Sequence, residues 1–207
     1  MLIKFQELLN NYNINVKGIL HVGAHECEEL NDYMSGGCNK DKIIWLEGNP
    51  NLVNKIKNKD KNIKVYNYLV SNQDDIETTL NIANNGQSSS ILELGTHKHH
   101  HPHVHYNGEI TLKTKTIDSI YKLEHIPLDF ANFLNIDIQG AELLAIKGMK
   151  DILKQFDYLY LEVNREHLYI NSALIDEIDE YVSKYNFKRV QTSWTQYNWG
   201  DAFYIKY

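Results

Sequence analysis

Five polar sites in this sequence follow or interrupt apolar runs, and each carries side chains able to do chemistry. Gly23-Ala24-His25 follows the run Gly18–Val22. A glycine there has no Cβ, so the chain can turn tightly and its backbone can approach a ligand. Glu47 closes the second run, Lys42–Glu47. An acid about 20 positions past such a glycine is placed to accept hydrogen bonds from both ribose hydroxyls of a nucleoside, and it disfavours a 2′-phosphate. Ser71-Asn72 follow Ile63–Val70, Asp137 interrupts Phe133–Ile138, and Glu162 lies near the end of Tyr158–Val163. A carboxylate in so apolar a strand is costly to bury alone, so Asp137 is expected to have a partner or to act on a ligand. Glu142, just beyond it, either lines the same turn or interacts with a helix dipole. Asn164 and His167, close behind Glu162, either contact a substrate or bond one another.

Two other stretches invite a functional reading. Asn84–Ser90, with Ser89 and Ser90 at its end, leads into the histidine-rich segment His97–His105. So long a polar connection is usually functional or disordered. His99, His101, His103 and His105 would suit zinc or copper in an ordered, extended segment, but Pro102 splits them and no cysteine or paired carboxylate joins them. A solvated loop on the substrate side, with His97 at its start, is the preferred reading, and no metal is assigned. Near the end, Trp194, Tyr197 and Trp199 flank a polar turn before Gly200-Asp201. Their rings can stack on sugars, or simply pack a hairpin against a sheet edge.

The elements that must position these residues read α-β-α-β-α-β over the first seventy positions, as in a parallel sheet with crossover helices. Residues 4–12 form an amphipathic helix, Glu26–Met34 a second helix, and Pro50 opens a third. Thr78–Ala83 and Glu109–Lys115 alternate apolar and polar residues, which predicts half-buried antiparallel strands. The wound pattern then resumes with strands at 133–138 and 158–163. Helices follow at 141–155, with a break at Gly148, and at 172–185. Phe187–Gln191 and Ala202–Lys206 form a terminal hairpin. The expectation is one α/β domain over 1–207 with an insertion at about 78–115. In a doubly wound sheet, ligands bind at the carboxyl ends of strands, where all five polar sites fall.

Hydrophobic residues make up 43% and charged residues 23% of the chain, an ordinary globular balance, and the formal net charge is −6. No global field therefore draws it to nucleic acid, and the basic run Lys55–Lys61 reads as a solvated helix face. Cys27 and Cys38 are too few for a disulfide framework. The N-terminal stretch lacks a cleavage site, and no apolar stretch approaches the roughly 20 residues needed to cross a bilayer. A soluble, cytoplasmic protein without membrane partners is expected; the oligomeric state stays open, a homodimer among the options.

In this order, several segments together resemble the FkbM family of methyltransferases. They are His21–Glu26, Ile44–Pro50, Ser88–Ile91, Thr116–Asp118, Asn135–Leu143 with Lys147-Gly148, and Trp199–Tyr204. The resemblance implies a Rossmann-like class I methyltransferase fold, a mostly parallel seven-stranded sheet with its last strand antiparallel and helices on both faces. It implies S-adenosylmethionine as cofactor and O-methylation of a hydroxyl on a sugar, glycan or related natural product. Gly23, Ala24 and His25 would hold the methionine end of the donor, Glu47 its ribose, with Ser71 and Asp137 completing that site. Ser89, Ser90 and His97 would belong to a substrate lid, with Asn164 and Trp199 also facing the acceptor. The sequence departs from the family where His21 replaces an acid, Cys27 a glycine, and Asn135 a lysine whose loss removes a charge near Asp137.

Removing a hydroxyl proton calls for a general base, for which Asp137 is the first candidate and Glu162 the second, with His25 or a loop histidine as a neutral-pH alternative. A divalent metal at the acceptor oxygen fits the clustered carboxylates but is required by no ligand spacing. Two other classes share parts of the pattern. A nicotinamide-dependent oxidoreductase would keep the glycine and Glu47, and a non-catalytic carbohydrate-binding protein would keep the aromatic loop.

Overall fold

A computed structural model describes residues 1–207. The first half of the chain runs α1 (Phe5–Tyr12), β1 (Ile19–Val22), α2 (Leu30–Ser35), β2 (Ile43–Glu47), α3 (Pro50–Lys59), β3 (Lys64–Asn67), β4 (Leu69–Val70) and β5 (Glu77–Ala83). It continues with α4 (His97–His100), β6 (Tyr106–Lys115), α5 (Ile117–Leu123), β7 (Phe133–Ile136), α6 (Glu142–Lys147), β8 (Tyr158–Asn164), α7 (Ile175–Ser183), β9 (Phe187–Trp194) and β10 (Trp199–Lys206). Seven strands form one sheet in the order β3-β2-β1-β7-β8-β10-β9. The pairs on the β3 side of β8 are parallel, whereas β10 is antiparallel to both β8 and β9. This is the class I methyltransferase arrangement expected from the resemblance.

Strand alternation sends side chains to two cores. Leu20, Val22, Ile44, Leu46, Leu134 and Leu161 face the core closed by α5, α6 and α7. Ile19, Ile43, Trp45, Phe133 and Tyr160 face the other, closed by α1, α2 and α3. Both faces are covered, so the central strands are wholly buried, which is why they read as unbroken apolar runs.

Several boundaries differ from expectation. The helix expected over Glu26–Met34 begins only at Leu30, because His25 and Cys27 take left-handed backbone angles (φ 43° and 59°) that keep the preceding segment in turns. The third apolar run splits, since Leu69–Val70 leave the main sheet to pair with β6 in a second, three-stranded sheet ordered β4-β6-β5. The break at Gly148 is present, but residues 152–155 beyond it form a 3₁₀ turn rather than more α-helix. α5 was not anticipated; Thr116 caps it by accepting the Ser119 N–H at 3.2 Å. β5 and β6 pair antiparallel as their alternation predicts. The terminal hairpin extends further than expected, from Phe187 through Trp194 and from Trp199 to Lys206.

Parallel pairing of β1 with β7 places Val22 beside Ile136. Gly23 and Asp137, one position on, are forced together. A Cβ on Gly23 would lie 1.8 Å from the Asp137 carbonyl oxygen, and Gly23 has φ +91°. Gly23→Ala should therefore destabilise the fold by at least about 1–3 kcal/mol, measured by denaturant unfolding; an unchanged midpoint would contradict this packing.

Candidate active site

Backbone turns fix several polar groups at the carboxyl edge of the central strands. After β1, the Gly23 and Ala24 N–H groups both donate to the Leu46 carbonyl, at 2.9 and 3.1 Å. This folds the turn over the end of β2 and brings His25 to Glu47. Glu47 Oε2 accepts the His25 N–H at 2.9 Å, and Oε1 accepts the Asn49 N–H at 2.7 Å. Burial raises the Glu47 carboxyl above its ordinary range, while these two N–H donors oppose the rise. The result is a carboxylate oriented by two backbone bonds at the end of β2.

The turn after β7 is built around three further carboxyls. The Asp137 N–H donates to Val22 O at 3.0 Å, and Glu142 Oε1 accepts the N–H groups of Ile138 and Gly140 at 3.0 and 3.1 Å. Gln139, at φ 57°, places Nε2 2.7 Å from Asp137 Oδ1 and 3.0 Å from Glu162 Oε2. The other side of that amide is taken, because Tyr169 donates its hydroxyl to Gln139 Oε1 at 2.5 Å. Asp137, Glu142 and Glu162 can each offer a carboxylate oxygen within 4.8 Å of the others. The histidine-rich segment forms no comparable group of ligand atoms.

So many acids in one place resist ionisation together. Asp137 is pushed up to about 6 by its enclosure at the cleft floor, then by Asp201; the Gln139 bond pulls it down. Its side chain keeps an open face on the cleft, so water moderates that rise until a ligand covers it. Glu142 is pushed up to about 7, first by burial and then, against its backbone bonds, by Asp137. Glu162 is raised well above the carboxylate range by burial and by its neighbours Asp137 and Glu142. Asp201, which lies opposite Glu162 on β10, is also raised by burial, although Tyr160 and the Leu2 N–H donate to it.

Asp137, Glu162 and Asp201 open on a cavity of about 460 Å³, within the size range of small-molecule sites. Gly23, Ala24, His25 and Glu47 line one part of it, and Asp137, Glu162 and Asn164 its floor. Ser89, Ser90, His97 and Trp199 complete the wall. Ser90 ties that wall to the floor by donating to the Gln139 carbonyl at 2.7 Å. Asn164 is 1% exposed, yet neither atom of its amide has a hydrogen-bond partner, and the buried Nδ1 of His97 also has none. A buried polar group left unpaired costs about 1–3 kcal/mol, which a ligand that bonds it would recover.

One expected site residue is misplaced. Ser71 does not line the cavity: it is buried beyond β4, its N–H bonded to the Lys115 carbonyl, because the chain has left the main sheet at Leu69. Asn135 donates to the Tyr33 hydroxyl at 2.7 Å and does not contact Asp137. His21 is buried against Trp45 with its rings 4.5 Å apart, and burial lowers its pKa to about 4, leaving it neutral. Sequence reasoning missed Gln139, Tyr169 and Asp201. Gln139 was recognisable as a polar residue in the turn between Asp137 and Gly140, whereas only sheet pairing and tertiary packing bring the other two to the site.

Residues 21–189 match the Methyltransferase FkbM domain. The chain belongs to the FkbM methyltransferase family. A stretch of 78 residues is 30% identical to the hexuronic acid methyltransferase AglP of Haloferax volcanii and spans 38% of this chain but 30% of that protein. Among solved structures, a TehB-like SAM-dependent methyltransferase from Corynebacterium glutamicum is similar over 98% of this chain and 86% of its own, with TM-score 0.48 and 9% identity. Aeropyrum pernix fibrillarin in complex with natively bound S-adenosyl-L-methionine is similar over 91% and 66%, with TM-score 0.48 and 10% identity. This FkbM protein carries a methyltransferase domain, for which the resemblance implies S-adenosylmethionine as cofactor. Its residues fit that group, since the oriented Glu47 carboxylate and the glycine turn border the same cavity.

Neutralising the ribose acceptor should weaken donor binding without unfolding the chain, because glutamine keeps the shape and one carbonyl oxygen. Glu47→Gln is expected to raise the S-adenosylmethionine Kd about tenfold or more in calorimetry, equivalent to about 1.4 kcal/mol. Equal affinity would remove Glu47 from the donor site.

Proposed function

We propose that the protein transfers a methyl group from S-adenosylmethionine to a hydroxyl of a sugar, glycan or related natural product. The observation that carries this reading is the pairing of Asp137 and Glu162 on one amide, at the floor of the cavity that Glu47 and Gly23 also border. The likeness to a hexuronic acid methyltransferase, limited in span, puts sugars first among acceptors.

When bound, S-adenosylmethionine supplies an electrophilic methyl group on a sulfonium. The chain's tasks are to align an acceptor, exclude water and receive a proton. Asp137 and Glu162 are the bases: one of them accepts the hydroxyl proton as the acceptor oxygen becomes a nucleophile. Asp137 is the better placed, since it faces the cavity, while Glu162 is 6% exposed and more strongly held in its protonated form. Asn164, with an unpartnered amide, and Trp199 offer a polar contact and an aromatic face to the acceptor. His97 and the serines Ser89 and Ser90 close the opposite wall. His97 is neutral, its pKa lowered to about 4 by burial and by the nearby His101 and His100, and so serves as a hydrogen-bonding group rather than a charge.

The sign of the pH dependence follows from the base. It works ionised, so turnover should rise with pH through the raised range of the Asp137 carboxyl, pushed up to about 6, and level off above it. Asp137→Asn should lower kcat by about 10²–10⁴-fold and abolish that rise. The decisive assay follows radiolabelled methyl from S-adenosylmethionine into a panel of neutral and acidic saccharides, alongside calorimetry with S-adenosylmethionine, S-adenosylhomocysteine and NADH. Binding of NADH alone would favour a nicotinamide-dependent oxidoreductase. Binding of saccharide with neither nucleotide would favour a carbohydrate-binding protein.

A further inference from the structure

The least expected component of the site is the Gln139 side chain. Its Nε2 has two hydrogens, and two carboxylate oxygens lie in reach: Asp137 Oδ1 at 2.7 Å and Glu162 Oε2 at 3.0 Å. An amide turned the other way would set its oxygen against both acids. Tyr169 opposes that turn, because its buried hydroxyl remains protonated and donates to Oε1 at 2.5 Å. The Gln139 backbone is equally constrained. It sits at φ 57°, its carbonyl accepts the Ser90 hydroxyl at 2.7 Å, and the N–H groups on either side of it are held by Glu142. One residue thus joins the floor of β7 and β8 to the serine wall and to the segment after β8.

We propose that Gln139 is a positioning residue: its amide, fixed in orientation by Tyr169, donates one hydrogen to Asp137 and one to Glu162 and so favours an ionised carboxylate in the pair. Asp137 Oδ2, which the amide does not engage, is left to take the acceptor's proton. The inference rests on the reading that this pair supplies the base.

What the amide works against is a proton shared directly between the two acids, which lie within hydrogen-bonding reach of each other. Two carboxyls that touch hold one proton tightly, and a base that is already protonated cannot act. Asp137 is faced by Glu162 from β8, Glu142 from α6, Asp201 from β10 and Glu29 from the turn before α2. Only the amino group of Met1 and the Gln139 amide oppose their effect on Asp137. Of these, Gln139 alone bonds Asp137 and Glu162 together.

The test is the pH profile of kcat at saturating S-adenosylmethionine and acceptor for wild type, Gln139→Leu and Tyr169→Phe. Without the amide, Asp137 should hold its proton to higher pH. The acidic limb for Gln139→Leu is therefore expected to move up by about one unit. Turnover should fall about tenfold at the foot of the limb and recover towards wild type at alkaline pH, with KM for the donor within about twofold. Tyr169→Phe, which keeps the amide but frees it to turn, should move the limb in the same direction by less. It also serves as the informative variant if Gln139→Leu does not fold. A limb that stays in place in the folded variants, or a loss equal at every pH, would overturn the proposal and leave a merely structural glutamine. Asp137→Asn separates this from failure of the underlying reading. If that variant keeps wild-type turnover, the acid pair is not the base; if it is inactive while the limb stays fixed, only the role of Gln139 falls.

Discussion

The parallel contact between β1 and β7 is the constraint on which the remainder of the structure depends. Val22 and Ile136 are in register, and the chain leaves both strands at the same level, so the Gly23 turn and Asp137 share one edge. A side chain on Gly23 would collide with the Asp137 carbonyl, and a shift of register by one residue would turn the apolar positions of β1 out of their cores. From that junction β2 brings Glu47 to one side and β8 brings Glu162 to the other. The Glu47 side and the acid floor of the cavity are therefore two halves of one strand alignment.

The floor gathers charge in a way a structural core does not. Asp137, Glu142 and Glu162 crowd together with Asp201 nearby, and no lysine or arginine side chain contacts the group. Such a cluster is held by partial dipoles: the Ile138 and Gly140 N–H groups on Glu142, the Gln139 amide on the next two, and Tyr160 and Leu2 on Asp201. Dipoles leave the acids able to exchange a proton, whereas a salt bridge to arginine would fix them ionised and weakly basic. Such an arrangement suits the proton transfer proposed for the pair.

The wall across from the floor is assembled from the inserted segment. Leaving the main sheet at Leu69 lets β4, β5 and β6 form their own small sheet, and Ser88–Ser90 and His97 hang from it over the strand ends. Ser90 and Tyr169 then fasten this cover to Gln139. The same departure carries Ser71 away from the cavity.

The sequence by itself determined the α/β winding, the two covered faces and most cavity residues, because strand runs, helix spacing and the residues at strand ends are local signals. Glu47, Asp137, Glu162 and Asn164 were legible for that reason: each polar side chain interrupts or ends an apolar strand. Ser71 had the same signal and misled, since nothing local tells that β4 pairs with β6 rather than with β2 or β3. The delayed start of α2 was hidden because left-handed angles at His25 and Cys27 are imposed by the fold, not favoured by those residues. Only the tertiary structure brought Asp201 opposite Glu162 and Tyr169 against Gln139, across 39 residues of register and a 30-residue separation respectively. Contacts between residues so far apart have no periodicity to read; they exist only once hydrophobic burial has fixed the strands.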